Sequence, residues 1–239
     1  AGNTLTKSIT FSVNRFGSTY KLSDSTEKFV NKAYHQKGDE IVLYEINPNN
    51  IVKQEVSILS DGKTTTLQAN AYKFNKLEEQ TWNKYEYRLP SSLFEKEGTY
   101  EIIVSSEDEA GNKQTNQIKK VNVKFVIDKT NPNAVITGIE TGKLYNGSEL
   151  NLGIDLTDNI KLGSAKLYLN DVEVQEYNEE TVAKNNGKLA YTLHESDKWQ
   201  TLKVVTVDAA GNEGTSEEMK VLVSSNWFTR FVNGIWSKI

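Results

Sequence analysis

The chain has 239 residues, of which 37% are apolar, and its 28 basic and 32 acidic side chains leave a formal net charge of −4. This near balance gives no electrostatic reason to expect nucleic acid as a partner. Because there is no cysteine, disulfides, thiolate catalysis and zinc–thiolate sites are excluded.

The N-terminal 37 residues carry weak structural signals. Ile9, Phe11 and Val13 alternate with polar residues, which predicts a strand over residues 9–13. We interpret residues 1–17 as the end of a preceding repeat or as the first strand of domain 1. Residues 18–37 have apolar positions at near-helical spacing, among them Phe29 and Val30, and predict a short helix or an irregular lead-in.

Strand signals then follow at regular intervals. An Asp61-Gly62 pair separates two of the runs, and this dipeptide is a strong signal for a β-hairpin. The predicted strands of this first module cover residues 40–46, 55–59, 64–67, 82–89, 98–104 and 117–127.

The second module repeats this pattern after a junction at residues 128–132. Turn signals stand at Asn146-Gly147, Asn170-Asp171 and Asn186-Gly187. About seven short strands per ~100 residues with little helix is typical of an immunoglobulin-like sandwich. The predicted strands cover residues 134–139, 149–156, 164–169 with 172–174, 188–193, 200–208 and 218–223.

The last segment, residues 225–239, has a helical period of apolar residues. We expect an amphipathic helix that docks on the second sandwich, lies at a membrane interface or packs into another protein. Its apolar positions are Trp227, Phe228, Phe231, Val232, Ile235, Trp236 and Ile239.

An Ala-Gly-Asn tripeptide occurs at residues 1–3, 110–112 and 210–212. The later two copies follow Asp108 and Asp208, and the same unit at domain spacing indicates an internal repeat. We interpret the motif as a tight turn whose aspartate accepts backbone N–H bonds. The alternative is a cation site that combines Asp108 or Asp208 with Asp155 and Asp158. The copy at residues 1–3 suggests that the chain begins inside a repeat and comes from a longer array.

Other candidate chemistry is sparse. The sequence contains no Gly-x-Ser-x-Gly nucleophile elbow that could form a catalytic triad with His35 or His194. We therefore expect both histidines to be structural or exposed. Three neighbouring aromatic residues, Trp82, Tyr85 and Tyr87, are core packing or a sugar-stacking platform, and Trp199 is open to the same two interpretations. A lysine isopeptide bond would require a buried lysine beside an amide or acid.

The motifs resemble a known class of modules. The segments 11–20, 125–132 and 225–231, together with the two Asp-x-Ala-Gly-Asn turns, are similar to immunoglobulin-like repeats near the C-terminus of large Gram-positive cell-surface proteins. This resemblance implies a stalk that holds an upstream domain away from the envelope, with no catalytic residue carried over. No anchor or sorting segment follows Ile239, so the mode of anchoring stays open.

We therefore expect an all-β chain of two tandem immunoglobulin-like sandwiches with a short C-terminal amphipathic helix. The expected boundaries are 18–128, 129–224 and 225–239. The expected function is a non-catalytic extracellular spacer at a bacterial cell surface, with no cofactor, no metal and no nucleic acid. Its expected partners are neighbouring domains of the same polypeptide and, through the tail, a membrane-proximal surface. The alternative is a module that binds a glycan or a host surface protein. A hydrolase would need a cleft with converging carboxylates.

Overall fold

The computed structural model describes residues 2, 4–9, 13–77 and 81–236, with backbone only for residues 235 and 236. Chain contacts divide it into two compact units, residues 1–127 and 128–239. In its described residues, unit 1 has ten strands, one α-helix and a 3-10 turn at Ser91–Phe94. These elements are β1 (Thr19–Leu22), α1 (Asp24–Lys32), β2 (Tyr34–His35), β3 (Ile41–Asn47), β4 (Ile51–Ser60), β5 (Lys63–Thr66), β6 (Lys73–Leu77), β7 (Asn83–Leu89), β8 (Gly98–Asp108), β9 (Lys113–Thr115) and β10 (Val123–Ile127).

The strands of unit 1 form two sheets, in the orders β1-β3-β7-β6 and β2-β10-β8-β4-β5, with β9 paired to β8. The first-strand region is divided between the two sheets: β1 pairs antiparallel with β3, and β2 pairs parallel with the last strand, β10. This is the strand order of an immunoglobulin-like sandwich with an extra strand beside its GFC sheet.

The core of unit 1 lies between these sheets and is rich in aromatic rings. Phe94, Tyr100 and Phe125 contact one another with centroid separations of 5.1–5.5 Å. The Tyr100 hydroxyl donates to the Lys96 carbonyl at 2.8 Å, which reproduces the tyrosine corner of immunoglobulin domains near the start of β8.

Unit 2 repeats the plan with a helix where unit 1 has β6. Its sheets have the orders β11-β13-β16 and β12-β19-β17-β14-β15, with β18 paired to β17. The elements are β11 (Asn133–Thr137), β12 (Lys143–Asn146), β13 (Glu149–Thr157), β14 (Leu162–Leu169), β15 (Val172–Tyr177), α2 (Glu179–Lys184), β16 (Lys188–His194), β17 (Gln200–Asp208), β18 (Glu213–Thr215), β19 (Met219–Ser224) and α3 (Trp227–Trp236).

A separate aliphatic core fills unit 2. Ile154, Leu167, Leu193 and Leu202 are fully buried between the two sheets. The all-β class, the two immunoglobulin-like sandwiches and the short C-terminal helix predicted from the sequence are therefore confirmed. Among the described residues, no helix is long and apolar enough to cross a membrane.

Several local predictions need comment. The strand predicted at 9–13 and the tripeptide at 1–3 include residues outside the described part of the chain, as do residues 237–239 of the tail. The strand predicted at 117–127 was too long, because only Val123–Ile127 is extended and residues 116–120 form turns. There the Asn116 side chain makes hydrogen bonds of the kind that strand backbone would make. Its Oδ1 accepts from Val104 N at 2.8 Å, and its Nδ2 donates to Val121 O at 2.8 Å.

Candidate functional site

The Asp-x-Ala-Gly-Asn motif forms a tight turn between β8 and β9. Asp108 Oδ1 accepts hydrogen bonds from the backbone N–H groups of Ala110 at 3.0 Å and Asn112 at 2.9 Å. Gly111 takes a φ of 82°, a left-handed conformation that glycine adopts without steric cost. The turn predicted from the sequence is present, and its aspartate has the predicted role.

The second copy forms the same turn between β17 and β18. Asp208 Oδ1 accepts from Gly211 N at 2.7 Å and Asn212 N at 2.8 Å, and Gly211 has a φ of 97°. In both copies the asparagine amide reaches back to the start of its unit: Asn112 Nδ2 donates to Asn14 O, and Asn212 Nδ2 donates to Asp128 O, each at 3.0 Å. Asn14 and Asp128 are therefore equivalent positions.

In unit 1 amide groups surround the aspartate of the turn. Asp108 Oδ2 accepts from Asn14 Nδ2 at 3.0 Å, Asn47 Nδ2 at 3.1 Å and Asn112 Nδ2 at 2.9 Å. Burial alone would raise the pKa of Asp108, but the hydrogen bonds from Asn112, Asn47 and the turn backbone outweigh it and lower that pKa. The negative charge of Asp108 is thus stabilised by dipoles of the protein itself.

In unit 2 carboxylates take the place of two of these amides. Ligand oxygens of Asp128, Asp158 and Asp208 lie within 4.8 Å of one another, and Asp128 and Asp208 are only 1% and 5% exposed. Such a group can supply three of the six or more oxygens that calcium requires. Three anions this close repel one another, because partial burial weakens screening by water.

The cation site considered from the sequence is only partly assembled. Asp158 and Asp208 are brought together, but Asp155 lies 3.6 Å from Lys188 in an ion pair. Asp128, which the sequence places in the junction, takes the third position instead. Asp128 is brought to Asp208 by the fold, through the hydrogen bond from Asn212 Nδ2 to Asp128 O. Sequence spacing carries no signal for this position.

A buried carboxylate that sequence reasoning missed lies in the core of unit 1. Glu45 is 0% exposed. Its Oε1 accepts from the hydroxyls of Ser18, Tyr20 and Ser106, the last at 2.5 Å, and its Oε2 accepts from Tyr87 at 2.6 Å. Since Ser106 lies on β8 and Tyr87 on β7, this network joins the two sheets.

The neighbours of Glu45 extend the network. The Ser18 hydroxyl also accepts from Asn47 Nδ2 at 2.8 Å and Gln114 Nε2 at 2.9 Å. Burial, followed by the nearby Glu45 charge, raises the pKa values of Tyr20 and Tyr87 far above the ordinary tyrosine range. Both phenols therefore stay protonated and donate. The available signal in the sequence was an acid at an inward position of the alternating strand β3.

The three aromatic residues proposed as a platform are separated by burial. Tyr85 and Tyr87 are 3% and 0% exposed, whereas Trp82 is 50% exposed. Tyr85 and Tyr87 point into the core because both occupy the inward phase of β7 and pack against Phe74. The three rings do not form a shared exposed surface, so Tyr85 and Tyr87 are core residues.

Trp82 instead borders an open groove of about 1030 Å³ on unit 1. The floor of the groove includes Tyr44, and Lys84 Nζ lies 4.7 Å from the centroid of that ring. Ser23 and Asp24 at the start of α1 supply polar groups on one side. An indole, a phenol ring and several hydrogen-bonding groups thus meet at one surface.

The two histidines occupy unlike surroundings. His35 is buried, stacks on Phe29 at 3.6 Å, and places its Nε2 2.8 Å from Phe29 O. Desolvation lowers the pKa of His35, although the backbone bond opposes this. His194 is exposed, with its Nδ1 3.3 Å from Glu149 Oε1. No lysine is buried in the part of the chain that the structure describes, which leaves the isopeptide interpretation without its nucleophile there. Trp199 is half-buried, with Lys220 Nζ 5.8 Å from its ring.

Comparison with known proteins gives only distant similarities. No protein-family profile matches the chain, and no curated protein matches it in sequence. Similar solved structures include fibronectin(III)-like modules of Clostridium thermocellum CbhA, with 9% identity, coverage of 87% of this chain and 95% of that chain, and a TM-score of 0.39. A module of a 1.5-MDa bacterial ice-binding adhesin has 14% identity, coverage of 89% and 67%, and a TM-score of 0.39. A marsupial T cell receptor has 10% identity, coverage of 87% and 73%, and a TM-score of 0.47. The immunoglobulin-like assignment therefore depends on the strand order described above.

Proposed function

We propose that this chain is a non-catalytic, load-bearing spacer of a bacterial surface protein. The observation that carries the proposal is the same parallel strand pair in both units. In unit 1, β2 pairs parallel with β10, with Tyr34 opposite Val126 and His35 opposite Ile127. In unit 2, β12 pairs parallel with β19 over Lys143–Asn146.

This pairing has a mechanical consequence. When the two ends of a unit are pulled apart, the early strand and the last strand are drawn in opposite directions along their common axis. The hydrogen bonds between them are then loaded in shear and must break together, whereas an antiparallel hairpin pulled from its open end loses its bonds one by one. A parallel pair of an early strand and the last strand therefore suits a module that transmits tension.

The cell-surface part of the proposal has a different support. It depends on the sequence resemblance of the junction and turn motifs to immunoglobulin-like repeats of Gram-positive surface proteins. An extracellular position, with an upstream domain projected from the envelope, follows from that resemblance. The direct partners would be the neighbouring domains of the same polypeptide.

Single-molecule force spectroscopy tests the mechanical role. Two unfolding steps are expected, each releasing on the order of 400 Å of chain from units of 127 and 112 residues. Unit 2, with four register pairs in its parallel ladder against two in unit 1, should unfold at the higher force. Leu144→Pro interrupts β12 and should lower that force.

A matched control is Val172→Pro in β15, which pairs only with β14 at the sheet edge and does not join the ends of the unit. It should leave the unfolding force of unit 2 unchanged. Equal forces for wild type and Leu144→Pro, in a variant that still shows two unfolding steps, would contradict the proposal.

A second candidate function is glycan binding, and the half-exposed Trp82 beside Tyr44 in the unit 1 groove favours it. Aromatic faces stack on sugar rings, and adjacent polar groups give orientation. A glycan array with wild type, Trp82→Ala and the control Trp199→Ala tests this role. Binding that is lost only with Trp82→Ala would establish an adhesin; no bound glycan in any sample would leave the spacer as the sole function.

A further inference from the structure

Helix α3 is seated on unit 2 in an inverted orientation. Thr229, Arg230, Asn233 and Gly234 are half-buried, whereas the residues between them are exposed. A surface helix normally turns its apolar stripe towards the protein core. Here the polar and small residues face the sandwich, so the aromatic stripe faces outward.

Specific contacts hold this orientation. Arg230 Nη1 donates to Ser224 O at 2.8 Å and also bonds Asn146 Oδ1. One turn further on, Gly234 approaches β12 so closely that an added Cβ would lie 3.3 Å from Leu144 Cδ1. The helix therefore rests on the ends of β12 and β19 through its Arg230–Gly234 side.

The outward side is a continuous aromatic patch. Trp227, Phe228 and Phe231 are 67%, 59% and 59% exposed. Their rings contact one another, with the Trp227 centroid 5.8 Å from Phe228 and 6.3 Å from Phe231. Large apolar side chains grouped in this way mark a contact surface, unlike scattered single residues.

The area offered by these three described side chains argues against pairing with a second copy. An aromatic side chain buries about 150–250 Å², so the exposed parts of these three rings offer roughly 400 Å² per copy. Two copies would bury about 800 Å², below the 1,200–2,000 Å² of stable interfaces. A bilayer needs no matching partner surface and accepts a small apolar face as it is.

We propose that the aromatic face of α3, formed by Trp227, Phe228 and Phe231, inserts into the interface of a lipid bilayer. The helix has ten residues, about 15 Å in length, which is half of the ~30 Å hydrocarbon core. It therefore lies in the plane of the interface. The described helix has Arg230 as its charged residue, and that guanidinium is directed to the sandwich. The insertion of these described residues is thus apolar and does not depend on anionic headgroups.

Vesicle co-sedimentation of the 239-residue chain tests this proposal. The samples are phosphatidylcholine vesicles and vesicles with 30% phosphatidylglycerol, each with and without 0.5 M NaCl. Wild type should bind both, with partition coefficients that agree within about threefold and resist salt. The variant Trp227→Ser/Phe228→Ser/Phe231→Ser should lose at least 30-fold in partitioning. Because these side chains are exposed, its unit 2 unfolding transition should be unchanged.

The control variant is Val172→Ser/Val174→Ser, which removes exposed apolar residues from the same unit, 63% and 38% exposed. It should bind as wild type. Absence of vesicle binding by wild type would overturn the proposal, as would retained binding in the triple serine variant. Dimerisation that disappears in the triple variant, without vesicle binding, would assign the face to a second copy instead. This test is independent of the spacer function, because a chain that fails to bind vesicles can still transmit force.

Discussion

Removal of the Glu45 carboxylate should destabilise unit 1 more than any other single polar substitution in its core. The side chain is fully buried and accepts four hydroxyl hydrogen bonds, from Ser18, Tyr20, Ser106 and Tyr87. In Glu45→Ala these buried hydroxyls lose the carboxylate that accepts their hydrogen bonds. A buried group left unsatisfied costs about 1–3 kcal/mol.

The total cost is smaller than four such terms, because some donors retain other partners. Tyr20 and Ser106 hydroxyls lie 2.9 Å apart and can bond each other. Ser18 still accepts from Asn47 and Gln114, but its own hydroxyl proton loses its acceptor. Tyr87 loses its acceptor outright. We therefore expect a loss of about 3–5 kcal/mol, including the cavity term, which is a large part of the 5–15 kcal/mol of a typical domain.

Glu45→Gln separates hydrogen bonding from charge. Its carbonyl oxygen can keep the three bonds made by Oε1, and the Tyr87 hydroxyl can turn to accept from the new amide. The expected loss is about 1–2 kcal/mol. Removing a buried charge also removes its desolvation cost, so Gln must be better tolerated than Ala.

Differential scanning calorimetry of the whole chain provides the assay. Unit 2 serves as an internal reference, because the substitution lies in unit 1. At roughly 4 °C per kcal/mol for a domain of this size, Glu45→Ala should lower the unit 1 transition by about 12–20 °C. A shift below about 4 °C, or a larger loss for Gln than for Ala, would refute the reasoning.

Three further outcomes are expected. Asp158→Asn should stabilise unit 2 by about 1–2 kcal/mol in EDTA, since it replaces one of three mutually repelling carboxylates by the kind of amide found in unit 1; a lower unit 2 transition in calorimetry would contradict this. Unit 1 should lose stability as the pH falls below 6.5, the ordinary pKa of histidine, because the lowered pKa of folded His35 lets the unfolded chain bind the proton first. Urea titrations between pH 7 and 5 should show this loss, and His35→Gln should flatten it. Gly214→Ala should destabilise unit 2 by about 2–4 kcal/mol, because its Cβ would lie 1.7 Å from Pro132 O; equal urea midpoints for variant and wild type would show that the backbone can move apart.

The long strands of both sandwiches could be predicted from alternation alone. In β17, for example, Leu202 and Val204 face the core and Lys203 faces outward, so the period of two is visible in the sequence. The hairpin turn at Asp61-Gly62 was equally visible, and both residues take positive φ, 48° and 79°, as a two-residue turn of this kind requires.

The short elements could not be predicted, for a physical reason. β9 and β18 have three residues each, too few to show a period. They are extended because they pair with the ends of β8 and β17 that continue beyond β10 and β19. β12 is held by its parallel pairing with β19, some 75 residues later. Helix α2 did have a local signal, since Asn178 caps it by accepting from Thr181 N at 2.9 Å.

The Asp-x-Ala-Gly-Asn turns of the two units show where sequence repetition stops being informative. The Asp-x-Ala-Gly-Asn turn is repeated because it is local: in both copies the aspartate accepts from the N–H of the asparagine four residues later. Its surroundings are supplied by distant strands, Asn14 and Asn47 in unit 1 but Asp128 and Asp158 in unit 2. One repeated motif therefore lies in two different electrostatic settings. Asp108 accepts from three side-chain amides, whereas Asp208 accepts from the Asn212 amide and lies beside two further carboxylates. The chemistry around each turn is determined by the residues that do not repeat.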